Sequence, residues 1–151
     1  MKWIGPLFTN AGGWEAYVSY HEGEWFIDKE SPIVIEGTKS GVKLLPMLQE
    51  DYGKGYENQL KILKKGLLKN GQNMEAVESF PFHVPIITAF ESMPGWVSYA
   101  SDWVKHIKLD MDIAQFLFEK CQNKLFEQSA RHKTLKVVNN WAKNKGVTFL
   151  R

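Results

Sequence analysis

The chain reads as an α+β fold, an N-terminal antiparallel β-meander packed against a C-terminal array of short antiparallel helices. Three observations predict it. Apolar residues alternate with polar ones before about residue 40 and recur at three- and four-residue spacing after it. The stretch "HEGE" at residues 21–24 divides two alternating runs and offers Gly23 for a tight hairpin turn. Helix punctuation then recurs along the second part, at Gly71, Pro94, Asp110 and Gly146. The length of 151 residues suits one domain, with residues 1–40 mainly strands and 41–146 mainly helices.

Each element has its own warrant. "KWIGPLF" is a short apolar run closed by the turn-like "TNAGG" and predicts a first strand. In "WEAYVSYHEGEWFIDK", Trp14, Ala16, Val18 and Tyr20 point one way, and Glu15, Tyr17, Ser19 and His21 the other. "PIVIEG" supplies a further strand. "GVKLLPMLQEDYGKGY" fits neither period, because Pro46, Gly53 and Gly55 interrupt it. "ENQLKILKKGLLKNG" is helical, with Leu60, Ile62, Leu63 and Leu67 inward, four lysines outward and Gly71 as the stop. A helix is expected near 84–92, and another from Pro94 with Trp96, Tyr99, Ala100, Trp103, Val104 and Ile107 as a wide apolar stripe. Asp110 is placed to cap "MDIAQFLFEKCQN", and Ser129 to cap the final helix before Gly146.

Composition narrows the function classes. The apolar fraction is 44% and six tryptophans are present, so the chain can bury a real core and is not of the disordered type. A single cysteine, Cys121, excludes an intramolecular disulfide and favours a reducing compartment. The opening apolar run is too short and broken for a secretory leader, and no run approaches a membrane span. A cytoplasmic protein with no membrane partner is the expectation. The net charge of +2 hides an asymmetry: residues 1–57 hold nine acids against five bases, whereas 129–151 hold six bases and no acid.

Motifs of chemistry are sparse. No glycine-rich phosphate loop, G-x-S-x-G or H-E-x-x-H occurs, and "GTKSG" lacks the length of a phosphate-binding loop. His21, His83, His106 and His132 are scattered, and Cys121 reads as a buried, inert thiol. No catalytic, cofactor or metal residue is therefore assigned, and a non-enzymatic role is expected over a small enzyme of unrecognised class. Two surfaces remain. The acidic hairpin, with Tyr17, Tyr20, Glu22, Glu24, Trp25 and Asp28, mixes aromatic anchors and carboxylates in a way that suits a basic protein partner. The competing use of those aromatics is core packing. Lys61, Lys64, Lys65, Lys133, Lys136 and Lys143 offer basic helix faces for nucleic acid, although no nucleic-acid-binding motif accompanies them.

The stretch "EQSARHKTLKVVNNW" begins the last helix. At about 100° per residue, Ala130, Thr134, Val137, Val138 and Trp141 share a face, while His132, Lys133, Lys136, Asn139, Asn140 and Lys143 lie opposite. Arg131 falls within the apolar arc and needs acceptors, through a carbonyl contact or an ion pair with Asp112 or Asp102 of the preceding helices. Arg131 with Asp112 is the expected structural pair.

The segment from Gly95 to Gly146, with Trp103, Gln128, Arg131, His132 and Trp141 in a helical frame, resembles the short helical pairs of small bacterial immunity proteins from toxin–immunity systems, contact-dependent inhibition among them. The resemblance covers about a third of the chain and carries over no functional residue. It implies an inhibitor-type binding protein, and with the acidic, aromatic N-terminal face the expectation is an immunity protein that neutralises a cognate toxin, a basic domain, by occluding its active site.

Overall fold

The computed structural model describes residues 1–151, and the fold is α+β. The chain forms two compact units, Met1–Pro85 and Ile86–Arg151.

The first unit holds a three-stranded antiparallel sheet in the order β1 (Val18–His21), β2 (Glu24–Ile27) and β3 (Ile33–Val34). The register sets Val18 opposite Ile27, Tyr20 opposite Trp25 and His21 opposite Glu24. The expected strand in "KWIGPLF" shrinks to an isolated bridge between Ile4 and Val18, with a second between Thr9 and Glu15. Gly5 and Pro6 are the reason. Proline donates no ladder hydrogen bond, and Gly5 sits at φ 140 where a Cβ would come within 2.9 Å of the Ala16 carbonyl. Strand β3 is only two residues long, because Gly37 opens a helix soon after it.

That helix, α1 (Gly37–Leu44), falls partly where strand was expected. Two glycines in eight residues make it a poor helix former. It forms because Ser40, Gly41 and Leu44 are buried, and because the Ser40 hydroxyl accepts the Glu36 N–H at 2.8 Å. A short 3-10 segment (Leu45–Leu48) and a single-turn helix α2 (Glu50–Gly53) follow, divided by the breaks that Pro46 and Gly55 announce. Helix α3 (Tyr56–Lys69) is as read: Leu63 and Leu67 are buried, Leu60 and Ile62 half-buried, and Lys61, Lys64, Lys65 and Lys69 exposed. It ends in a Schellman motif, the Gln72 N–H reaching the Leu67 carbonyl at 2.8 Å and the Gly71 N–H that of Leu68 at 3.0 Å.

The sheet's apolar face is covered within this unit. Trp25 lies edge-on to Phe80 at 5.0 Å and donates its indole N–H to the Ser79 hydroxyl at 3.1 Å. Buried Gln59 of α3 donates to the carbonyls of Leu7 and Gly53 at 2.9 and 2.7 Å, tying the N-terminal segment to the turn after α2. Gly66 lets α3 approach Ile4 so closely that a Cβ there would meet Ile4 Cγ2 at 2.3 Å. Burial of side chains such as Leu63 and Leu67 is worth roughly 1.5–3 kcal/mol each, which makes the packing of this helix the main term in its stability.

The second unit takes up α4 (His83–Ser92) from Ile86 onward and adds α5 (Val97–Trp103), α6 (Met111–Lys120) and α7 (Gln128–Lys145). Asp110 caps α6 as expected, accepting the Ile113 N–H at 2.8 Å. Helix α7 starts one residue before Ser129, and Glu127 occupies its cap position without a side-chain bond. Both α5 and α6 pack against α7, which buries Ala130, Thr134, Val138 and Ala142 at four-residue intervals and keeps Val137 and Trp141 half-buried. Gly146 ends α7 in a second Schellman motif, with the Val147 N–H on the Ala142 carbonyl at 3.0 Å.

Candidate functional site

The β1–β2 hairpin separates the residues expected to form one interface into two faces. Side chains alternate along each strand. Val18, Tyr20, Trp25 and Ile27 therefore share the face directed into the unit, and Trp25 and Ile27 are buried there. Trp25 is 4% exposed and cannot serve as a surface anchor, which corrects its assignment to the interface. Tyr20 leans on it, with ring centroids 5.1 Å apart, and its carbonyl accepts from Gln72 at 2.7 Å.

Asp28 also belongs to the scaffold. Its carboxylate bonds Lys43 Nζ at 3.1 Å and receives the backbone N–H groups of Ser31 and Glu30 at 3.2 and 3.3 Å. Burial works to raise its pKa, but the Lys43 ammonium and the two N–H groups outweigh that and hold the carboxyl below its ordinary value. Its lone pairs are spent inside the turn that links β2 to β3.

The outward face carries Tyr17, His21, Glu24 and the half-buried Phe26, with Glu22 at the tip. His21 meets Phe26 edge-on at 6.4 Å, and the Lys29 ammonium lies 4.8 Å from the Tyr17 ring centroid. Ser19, on the same side, is sealed by a hydrogen bond to the Lys2 carbonyl at 2.7 Å. The turn has positive φ at both central residues, Glu22 at 49° and Gly23 at 81°, the signature of a type I′ hairpin. Glycine suits the second position. Glutamate at the first is an L-residue held in the left-handed region, where Asn or Gly is the usual occupant. The Glu22 side chain is 85% exposed, the His21 imidazole lies 3.7 Å from its carboxylate, and neither Glu22 nor Glu24 pairs with a lysine or arginine. Phe26 was not among the expected interface residues. The period-two rule could have found it, since it stands opposite Ser19 and two residues after Glu24.

The remaining candidates are placed as follows. Arg131 is half-buried and donates Nε–H to the Phe126 carbonyl at 3.2 Å, so the expected pair with Asp112 is not formed. Asp112 is an exposed residue in the first turn of α6, where it favours the helix N-terminus. Asp102 pairs instead with Lys133. The carbonyl in the link before α7 lies closer along the chain to Arg131 than either acid, and it accepts the Nε–H where the side chain enters the apolar arc. Lys61, Lys64 and Lys65 are exposed on α3 in the first unit, and Lys133, Lys136 and Lys143 on α7 in the second, so no single helix face gathers them. Cys121 closes α6 at 1% exposure, and burial pushes its thiol up to about 11 despite the Thr134 hydroxyl and Arg131 nearby. A thiol so held carries almost no thiolate at neutral pH.

No group of three or more His, Cys, Asp and Glu side chains is placed to hold a metal ion. No helix is long and apolar enough to cross a membrane. Comparison with known proteins finds no matching family model, no matching curated protein and no matching solved structure.

Proposed function

We propose that this chain is a non-enzymatic protein-binding protein that holds a basic partner on the outward face and tip of the β1–β2 hairpin, as an immunity protein holds a toxin by occluding its active site. One observation carries the reading. Glu22 is kept in a left-handed turn position that favours Asn or Gly, with its carboxylate free of any lysine or arginine. A backbone choice that conflicts with local preference and presents an unspent charge is the kind of departure that function maintains.

The surroundings suit the role. Glu24 adds a second carboxylate, and Tyr17 and Phe26 supply aromatic area at low entropic cost. The hairpin's inward face is anchored by Trp25 on Phe80 and Ser79, which reduces the ordering needed on binding. Two carboxylates at a tip speed encounter with a cationic cleft and fix its register. The immunity-type resemblance of the C-terminal helices adds to the reading without assigning a residue.

The test is capture from the native lysate with tagged wild-type chain and with the double variant Glu22→Lys/Glu24→Lys. Recovery of a basic protein by the wild type, weakened by salt and lost with the charge-reversed hairpin, is the expected result. Recovery of no partner, or equal recovery by both, contradicts the reading. A nucleic-acid-binding role would show instead as salt-sensitive retention on DNA that survives the hairpin substitutions.

A further inference from the structure

The structure assigns a second binding site, independent of the hairpin: a small cavity between the N-terminal segment and α3 that takes an aromatic phosphate monoester. The ring lies against Trp3, and the phosphate is held by Lys65, Lys69 and Asn70.

The cavity has a volume of about 250 Å³ and lies between residues 3–5 and one face of α3. Ile62, Lys65, Gly66 and Lys69 recur at three- and four-residue spacing and so share that face. Asn70, the C-cap of α3, closes its end. Ile4, buried close against Gly66, and Ile62 give the cavity its apolar part, and half-buried Trp3 adds an aromatic wall.

Its charged and amide side chains are all of one kind, hydrogen-bond donors. Lys65 and Lys69 are exposed, and neither pairs with an acid. The Asn70 Nδ2 is buried and meets no acceptor. A buried donor without an acceptor is costly, and an anionic oxygen entering the cavity relieves that cost. No acidic side chain lines the space. The Lys2 ammonium, held on the Asn70 carbonyl at 2.7 Å, adds a further positive charge beside it.

Lysines at a helix C-terminus have a competing use, since they offset the negative end of the helix. Here that end is served by other groups. The carbonyls of Gly66, Leu67 and Leu68 accept the N–H groups of Asn70, Gln72 and Gly71 at 3.0, 2.8 and 3.0 Å, and Lys2 covers the carbonyl of Asn70. The charges of Lys65 and Lys69 are left for a ligand.

The donor set selects the anion. Two ammonium groups and one amide N–H match the charge of about −1.5 to −2 and the three acceptor oxygens of a phosphate monoester. A carboxylate brings a single charge and two oxygens, and leaves one donor unmet. Trp3 and Ile62 favour a flat, apolar body behind the phosphate. The volume falls below the roughly 300–1,000 Å³ of pockets for drug-sized ligands, so it suits one ring with its phosphate.

The test is isothermal titration calorimetry of the full chain with phenyl phosphate, inorganic phosphate and benzoate. Phenyl phosphate is expected to saturate one site at least about tenfold more tightly than either of the others. Lys65→Ala/Lys69→Ala and Asn70→Asp should each weaken it at least about tenfold, and Trp3→Leu should reduce it to the affinity of inorganic phosphate. Lys61→Ala/Lys64→Ala removes the same charge from α3 outside the cavity and should change the affinity by less than about twofold. Far-UV circular dichroism verifies each fold; should Trp3→Leu fail to fold, the two lysine pairs, all on exposed side chains, still decide. A capped pentapeptide centred on phosphotyrosine separates the sources: binding as tight as phenyl phosphate supports a protein-borne ring, and weaker binding supports a free small molecule. Absence of saturable phenyl phosphate binding overturns the proposal. Equal binding of benzoate, or equal losses from the two lysine pairs, overturns it as well. The hairpin reading fails or stands separately, because none of these residues lies in β1 or β2.

Discussion

Glu22 shows how a single residue can be informative through its cost. Its φ of 49° places an L-side chain in a region that sterics disfavour. Glu22→Asn should therefore raise stability by roughly 0.5–1 kcal/mol, as type I′ turns prefer Asn-Gly, and urea titration would read it as a higher midpoint at unchanged slope. Asp28 also has positive φ, at 80°, but its carboxylate is fully used. Asp28→Ala should destabilise by about 1 kcal/mol, chiefly through the lost Lys43 bond, because water can replace the carboxylate at the exposed Glu30 and Ser31 N–H groups. The folded pKa of Asp28 is depressed, so its contribution is present above the unfolded value near 4 and is lost as pH falls through the folded value. Wild type should thus lose stability below about pH 4 more steeply than Asp28→Asn, which thermal melts across pH 2–6 would check. Cys121 should react with a thiol reagent only as fast as the second unit opens, and labelling kinetics in increasing urea would show it.

At the scale of elements, long helices were the most legible. The period of α3, its stop at Gly71 and the Asp110 cap of α6 were all readable from side-chain chemistry within the element. Helix α1 was not, because its stability comes from burying Ser40, Gly41 and Leu44 and not from its own residues. The residues expected at the hairpin interface divide between two faces. Tyr20, Trp25, Glu22 and Glu24 are close in sequence, yet the pleat sends Tyr20 and Trp25 inward while Glu24 faces out. Phe26 joins Tyr17 and Glu24 on the outward face by the same period of two. Glycines divide similarly. A Cβ on Gly53 would sit 2.1 Å from the Met47 carbonyl oxygen, whereas one on Gly95 meets nothing within 4 Å. Gly53→Ala should cost about 2–3 kcal/mol or more and Gly95→Ala about 0.5 kcal/mol or less, a contrast that paired denaturation curves would expose.

At the scale of the molecule, charge is divided between the units. Met1–Pro85 contains eleven acids and nine bases, and Ile86–Arg151 six acids and ten bases. The asymmetry was visible in the sequence, but what it serves was not, because exposure and pairing decide which charges remain free. Asp28 and Asp102 are engaged by Lys43 and Lys133, while Glu22 and Glu24 pair with no lysine or arginine. The hairpin spends its inward face on the core and turns its outward face to solvent.

The proposed role makes Glu22 hold its costly position for a partner. The most direct measurement is the paired effect of Glu22→Asn on stability and on the amount of basic partner captured from one native lysate. The account predicts a more stable protein that retains at most about a tenth of the partner, the loss of one well-placed charged contact being worth roughly 1.4 kcal/mol or more. A stabilised variant that captures as much partner as the wild type would contradict it.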